Sequence, residues 1–343
     1  MRGAAGCARS GAGSVDEVPV SITPASALAP AELAGGRSLS AAPGSPALAI
    51  WATVALLGLL VAVTYPLAGL RLSLRDVALN AGLSALLLAG AAYYTFLRPD
   101  ERIARLLHAT PQFVLMTFLG GALSYPAMAT GLPLWDASFD AMDKAIGFDW
   151  PALLAWTGRH PDLAVALKLA YASMLPQMAL VIVALVTVRA FCELDRFVLA
   201  FGLAALMTMA ICAVTPALCA GYFYRDAVAA QPHLGLTWNS VAHVLALRSG
   251  EMTFVSMATA EGIVTMPSFH TVSAILFAVA LWQVPWLRWP GLALNLAMLA
   301  ATPIIGGHYL VDLFAGLAVA VAARWLAARL VPPQPAGNVR LSG

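Results

Sequence analysis

Charged side chains are scarce: they make up 10% of the 343 residues, against 61% hydrophobic. So little polar surface cannot cover a soluble globule, which excludes an ordinary water-soluble domain. The net charge of +2 is too small to argue for a nucleic-acid partner. Cysteine is sparse too. Cys7, Cys192, Cys212 and Cys219 form no paired spacing, and three lie in or beside apolar segments, so they read as packing residues. Histidines and carboxylates show no metal-ligand spacing either, since His233 and His243 stand ten apart on an irregular stretch. No metal and no cofactor is expected. Nor is a signal peptide: Arg2 supplies a positive start, but no continuous apolar core follows before Ala47.

What the chain has in abundance is long apolar runs. Segments at about 47–68, 77–97, 110–132, 163–188, 197–217, 267–285, 289–306 and 309–330 are long enough to span a bilayer. The expected fold is therefore all-α, a polytopic membrane helix bundle of about eight spans with both termini on one side. Residues 1–46 are rich in Ala, Gly, Ser and Pro, show no period, and are expected to be disordered. The rest divides into two accessory spans (47–109), a six-span catalytic core (110–332) and a short tail (333–343). Arg98, Arg102, Arg105, Arg189, Arg196, Arg288, Arg324, Arg329 and Arg340 fall in alternate connections and at the C-terminal end. The positive-inside rule makes those cytoplasmic, although Arg71 and Arg75 lie opposite.

Two outer segments remain. Residues 134–162 keep a helical stripe: Trp135, Phe139, Met142 and Ile146 oppose Asp136, Asp140, Asp143 and Lys144, as on an interfacial helix that lines the site or anchors the bundle. Asp149 before Trp150-Pro151 reads as the cap of a second short helix carrying Leu153, Leu154 and Trp156. The segment at about 218–266 holds Arg225, Asp226, His233, His243, Arg248, Glu251 and Glu261, and leads into His270.

His270 and His308 lie 38 positions apart, and the chain between them reads as a hairpin that returns to the depth at which it began. Both imidazoles therefore end at one membrane face, the outer one. Pro267-Ser268-Phe269-His270 begins a helix with proline at its first position, where free N–H groups and the Ser268 hydroxyl make an anion site. Asp312, four residues after His308, would lie one turn below it on the same helix side and fix its tautomer. Two histidines and a carboxylate at a membrane surface point to phosphorus chemistry on a lipid. A capped helix start and a structural His–Asp pair are the plainer alternatives.

These residues resemble the type 2 phosphatidic acid phosphatase superfamily. Its second motif is Pro-Ser-Gly-His, matched by Pro267, Ser268 and His270 with Phe269 in place of glycine. Its third is Ser-Arg, five residues, His, three residues, Asp, matched at its end by His308 and Asp312. The Ser-Arg would fall at Ala301-Thr302, and the first motif, Lys, six residues, Arg-Pro, has no match in 218–266. Lys168 and Pro176 keep its spacing in an earlier span, with Leu175 in place of arginine. An intact His/His/Asp set with reduced cationic motifs is similar to the branch containing inositol phosphorylceramide synthases and their bacterial relatives.

The resemblance implies a lipid phosphate substrate in a bacterial inner membrane, with the site facing the periplasm and no metal. His308 would attack phosphorus, His270 would protonate the leaving oxygen, and Asp312 would stabilise the imidazolium. Arg248 is the first candidate for holding the phosphate in place of the missing arginine, followed by Arg225, with Ser268 beside them. Hydrolysis and transfer of the phosphoryl headgroup to a lipid alcohol such as a ceramide both remain open. A non-enzymatic transporter using buried His and Asp is the competing class; the charged residues cluster at one face and no broken-helix repeat is evident, which weighs against it.

Overall fold

The computed structural model describes residues 46–332. The expectations for residues 1–45, with Cys7, and for 333–343, with Arg340, lie outside the described residues.

Three long helices open the chain: α1 (Pro46–Leu67), α2 (Leu74–Phe96) and α3 (Glu101–Met128). Two short outer helices follow, α4 (Asp136–Ala145) and α5 (Trp150–Gly158). Asp149 caps α5 as its sequence predicts, accepting from the Ala152 N–H at 2.9 Å with Pro151 in the first turn. Then come α6 (Pro161–Ala172), α7 (Met174–Thr187) and α8 (Phe191–Val214). Short helices α9 (Ala220–Phe223), α10 (Arg225–Ala229) and α11 (Ser240–Ser249) occupy the second outer segment. The chain closes with α12 (Phe269–Leu281), α13 (Arg288–Ile305) and α14 (Leu310–Leu330).

The all-α polytopic bundle is as expected, but fewer helices span than the eight apolar runs predict. Among the described residues, α1, α2, α3, α8 and α14 are each long and apolar enough to cross a membrane, and a sixth span is made if α6 and α7 count as one. Those two meet at a 51° bend. Pro176 explains it: without an N–H it cannot bond to the Ala172 carbonyl, so α6 stops there and α7 starts afresh. The run at 267–285 is likewise not one helix. Residues 256–268 are irregular, and turns occupy 282–287 before α13. The 13 residues of α12 therefore reach only about 20 Å, short of a ~30 Å hydrocarbon core.

The core lies where α3, α7, α8, α12 and α14 meet. Phe113, Phe197 and Phe201 stack there, with Phe277, Val181 and Leu185 fully or almost fully buried around them. A second cluster, Phe139, Trp150, Leu154, Leu234 and Tyr309, sits under α4 and α5 and ties the outer helices to the bundle. Trp150 adds a hydrogen bond from its indole N–H to the Pro303 carbonyl at 2.9 Å.

Arginines gather at the end of the bundle where α3 and α8 begin and α14 finishes. Arg105 pairs with Asp195, Arg189 with Glu101, and Arg324 with Glu193. At the other end the turn between α1 and α2 pairs as a short parallel strand, Arg71–Leu72 (β1), with Phe254–Val255 (β2) of the second outer segment. His308 precedes α14, so it belongs to that second end.

Candidate active site

His308 lies just ahead of α14, not on it. Tyr309 is the cap residue, and Asp312 at the third helical position reaches back to accept the Tyr309 N–H at 2.9 Å. The same carboxylate oxygen takes Nδ1 of His308 at 3.1 Å. One acid therefore caps the helix and orients the imidazole. Asp312 is fully buried and His308 nearly so, and a carboxylate at this depth needs such partners.

The other imidazole nitrogen, Nε2, faces the start of α12. Ser268 caps that helix, its hydroxyl accepting from the Thr271 N–H, and the same Oγ lies 3.4 Å from Nε2 of His308. Pro267 thus precedes the cap and does not fill the first helical position. The Ser268 N–H donates to the Asp312 carbonyl at 3.1 Å, which binds the two helix starts together. Gly316 permits the approach, since a Cβ there would lie 2.7 Å from the Ser268 carbonyl oxygen.

His270, on the first turn of α12, stacks on Tyr171 with ring centroids 3.7 Å apart and planes 14° apart. Tyr171 stands just before the α6–α7 bend. His270 and His308 line one cavity of about 770 Å³. Its outer part is polar, with Thr237, Asn239, Ser240 and Glu261; its inner part is apolar, with Met116, Met178, Phe201 and Phe269. Phe269, the residue at the motif's glycine position, packs edge-on against Phe201. Trp238 roofs the turn before His308. Gly307, at φ +69°, is required beneath it, because a Cβ would lie 2.6 Å from the indole nitrogen.

No lysine or arginine is among the described residues that line this cavity. Arg248, at the far end of α11, donates to the carbonyls of Thr130 and Leu132 at 2.7 and 2.6 Å. Arg225 lies over the Tyr222 ring, and Lys168 donates to the Leu234 carbonyl. The structure therefore joins His308, His270, Asp312 and Ser268 but brings neither Arg248 nor Arg225 to them. Ala301 and Thr302, at the missing Ser-Arg positions, are fully buried in α13.

Two acids of α4 hold the turn that carries His308, although they read in the sequence as the polar side of an interfacial helix. Asp143 accepts the Leu310 and Val311 N–H groups, the opening amides of α14, at 2.7 and 2.9 Å. Asp136 accepts from the Leu218 and Cys219 N–H groups and from the Tyr309 hydroxyl, the last at 3.0 Å. Burial raises both carboxyl groups above the usual aspartate range, against the lowering effect of these hydrogen bonds. Trp135, Met142 and Ile146 stay exposed on the outward face. The seven-residue interval between Asp136 and Asp143, two helical turns, was the available signal.

A family model described as the PAP2 superfamily matches residues 137–326, more than half of the chain, from α4 into α14. The chain belongs to the PAP2 superfamily. Membership supports phosphatase-type activity on lipid phosphates at the general level, and the matched residues include His270, His308 and Asp312. Comparison with curated proteins and with solved structures gave no match. The inositol phosphorylceramide synthase-like branch therefore stays a resemblance. Helices α1, α2 and α3 precede the part matched to the PAP2 superfamily.

Proposed function

We propose that this PAP2-superfamily protein is a membrane lipid-phosphate phosphatase that works through a phosphohistidine on His308. The observation that carries the reading is the orientation of His308. Its Nδ1 is tied to Asp312 and its Nε2 is left toward the cavity that His270 also lines. A carboxylate on one ring nitrogen holds the proton there and keeps the other nitrogen's lone pair available.

In the first step Nε2 of His308 attacks phosphorus as the bond to the leaving oxygen breaks, and His270, charged by the proton that the phosphate monoester brings, gives that oxygen its proton. Asp312 stabilises the positive charge that grows on His308. In the second step His270 takes a proton from water, which attacks the phosphohistidine; the P–N bond breaks, phosphate leaves and His308 is restored. The phosphoryl charge is met by the two imidazoles, the Ser268 hydroxyl and the N–H groups that open α12. Arg248 and Arg225 stand outside this cavity and have no part in the reading.

The arginine-rich end of the bundle supports a cytoplasmic placement by the positive-inside rule, with the histidines at the outer, periplasmic face of a bacterial inner membrane. The test incubates the detergent-purified protein with a panel of lipid phosphates and diphosphates, with and without alcohol acceptors, and assays free phosphate and new phospholipid together. Phosphate release that is independent of acceptor supports hydrolysis. New phospholipid formed only with an acceptor overturns it in favour of transfer.

A further inference from the structure

A second cavity, of about 570 Å³, opens between α2, α3 and α7. Thr117, Leu175, Met178 and Met257 line both it and the histidine cavity, so these side chains are the partition between the two. Beyond the partition the groove follows α3 back to Thr110 and α7 on to Ile182. That is about two helical turns, or ~10 Å, away from the histidine end and along the spans. Its walls there are Val114, Ala179 and Leu79, and α2 leaves Leu79, Leu83 and Leu86 exposed. Water has no use for such a trough inside a bilayer, whereas a hydrocarbon chain fits it.

The partition is built, not incidental. Met257 belongs to the outer segment that reaches α12, and its backbone N–H donates to Asp76 of α2 at 2.8 Å. The Ser256 hydroxyl donates to the same oxygen at 2.7 Å. The β1–β2 pairing fixes the preceding two residues of that segment to the α1–α2 turn. A nearly buried aspartate at the head of an apolar span is costly unless it has work of this kind. Helix α2, which lies outside the residues matched to the family, thus carries one wall of the groove and, with the α1–α2 turn, positions the residue between groove and histidines.

From this arrangement we infer that the α2–α3–α7 groove binds a hydrocarbon chain of the lipid substrate, so that the accessory span α2 sets the chain-length preference. The inference rests on the phosphatase reading, because it takes the lipid's phosphate to sit at the histidines. The shared wall identifies the occupant: a chain whose head is in the histidine cavity reaches the groove by displacing the flexible Met257 side chain.

The test compares dihexanoyl and dioleoyl phosphatidic acid as substrates for the full chain and for Ala179→Trp and Val114→Trp, which fill the groove without touching the histidine cavity. Each variant is expected to keep the dihexanoyl kcat/KM and to lose about tenfold or more on dioleoyl, the effect of excluding roughly two methylene groups. An unchanged preference, or an equal loss on both substrates, overturns the groove. A wild-type protein inactive on both removes the phosphatase reading and the groove with it. Labelling the wild-type protein with a phosphatidic acid that bears a diazirine in its chain gives a second readout that needs no variant. Adducts on α2 and on the Val114 and Ala179 turns are expected; adducts found only elsewhere overturn the assignment.

Discussion

Asp143 of α4 accepts the backbone N–H of Leu310 at 2.7 Å, two residues after His308. A helix lying on the outer surface thereby supplies acceptor oxygens to the free amides at the start of α14, and it does so beside the nucleophile. Asp143→Asn keeps the shape but offers one oxygen and an NH2 group to two donors. A loss of about 1–3 kcal/mol in stability is expected, with kcat falling more than KM rises, because the turn carrying His308 loosens. Thermal unfolding and steady-state kinetics on the same preparation check this; unchanged values for both contradict the clamp.

The raised carboxyl groups of Asp136 and Asp143 give a pH expectation with a definite sign. Their folded pKa values lie above the unfolded value of about 4, so the fold favours their protonated forms. Their contribution to stability is complete below that unfolded value and is lost as pH rises through the raised folded values. Acidification should therefore not lower Tm through these two groups. Tm profiles of the wild type and of Asp136→Asn decide it: the wild-type Tm should gain on that of the variant as pH falls, and a wild-type Tm that loses ground contradicts it.

His308→Ala and His270→Ala should each cost about 10²-fold or more in kcat while the protein stays folded and inserted, since one removes the nucleophile and the other the proton donor. Asp312→Asn should retain the most activity of the three, because it disturbs orientation without removing a reacting atom. Near wild-type turnover in His270→Ala contradicts the general-acid role.

Arg248 and Arg225 are separated by kcat/KM for Arg248→Lys and Arg225→Lys measured side by side. With Arg248 bonded to the Thr130 and Leu132 carbonyls, both variants should stay within a few-fold of wild type. A loss of roughly 30- to 1000-fold in either would place that arginine on the phosphate, through about 2–4 kcal/mol of transition-state contact.

How much of this was legible depended on whether sequence distance implied spatial distance. His308 and Asp312 are four apart, so their pairing followed from helical geometry, although the structure makes it by a cap that reaches backward. Ser268 and His270 followed from the start of an apolar helix. Where Arg248 lies did not: nearness in chain to His270 said nothing of where α11 points, and its guanidinium donates to two carbonyls of the loop after α3. The acids of α4 were read as its polar outer side because the stripe pattern sorts only by polarity. Met142 and Ile146 of the apolar stripe are exposed, whereas Phe139 is buried together with Asp136 and Asp143, whose carboxylates turn onto backbone amides. The eight runs become five or six candidate spans because the run at 163–188 bends at Pro176, α12 ends early at Leu281, and α13 carries Arg288, Asn295 and Pro303 within its 18 residues.

Activity is expected to survive chelation, because the two imidazoles perform attack and proton transfer between them. Complete loss in EDTA, restored by a divalent ion, contradicts the mechanism.

The most direct measurement is rapid quenching into alkaline detergent during turnover of a lipid phosphate labelled with radioactive phosphorus, followed by a search for acid-labile, alkali-stable label on the polypeptide. The account predicts label on His308 in the wild-type protein and none in His308→Ala. Phosphate release by the wild-type protein with no label at any quench time, or equal label in His308→Ala, would contradict it.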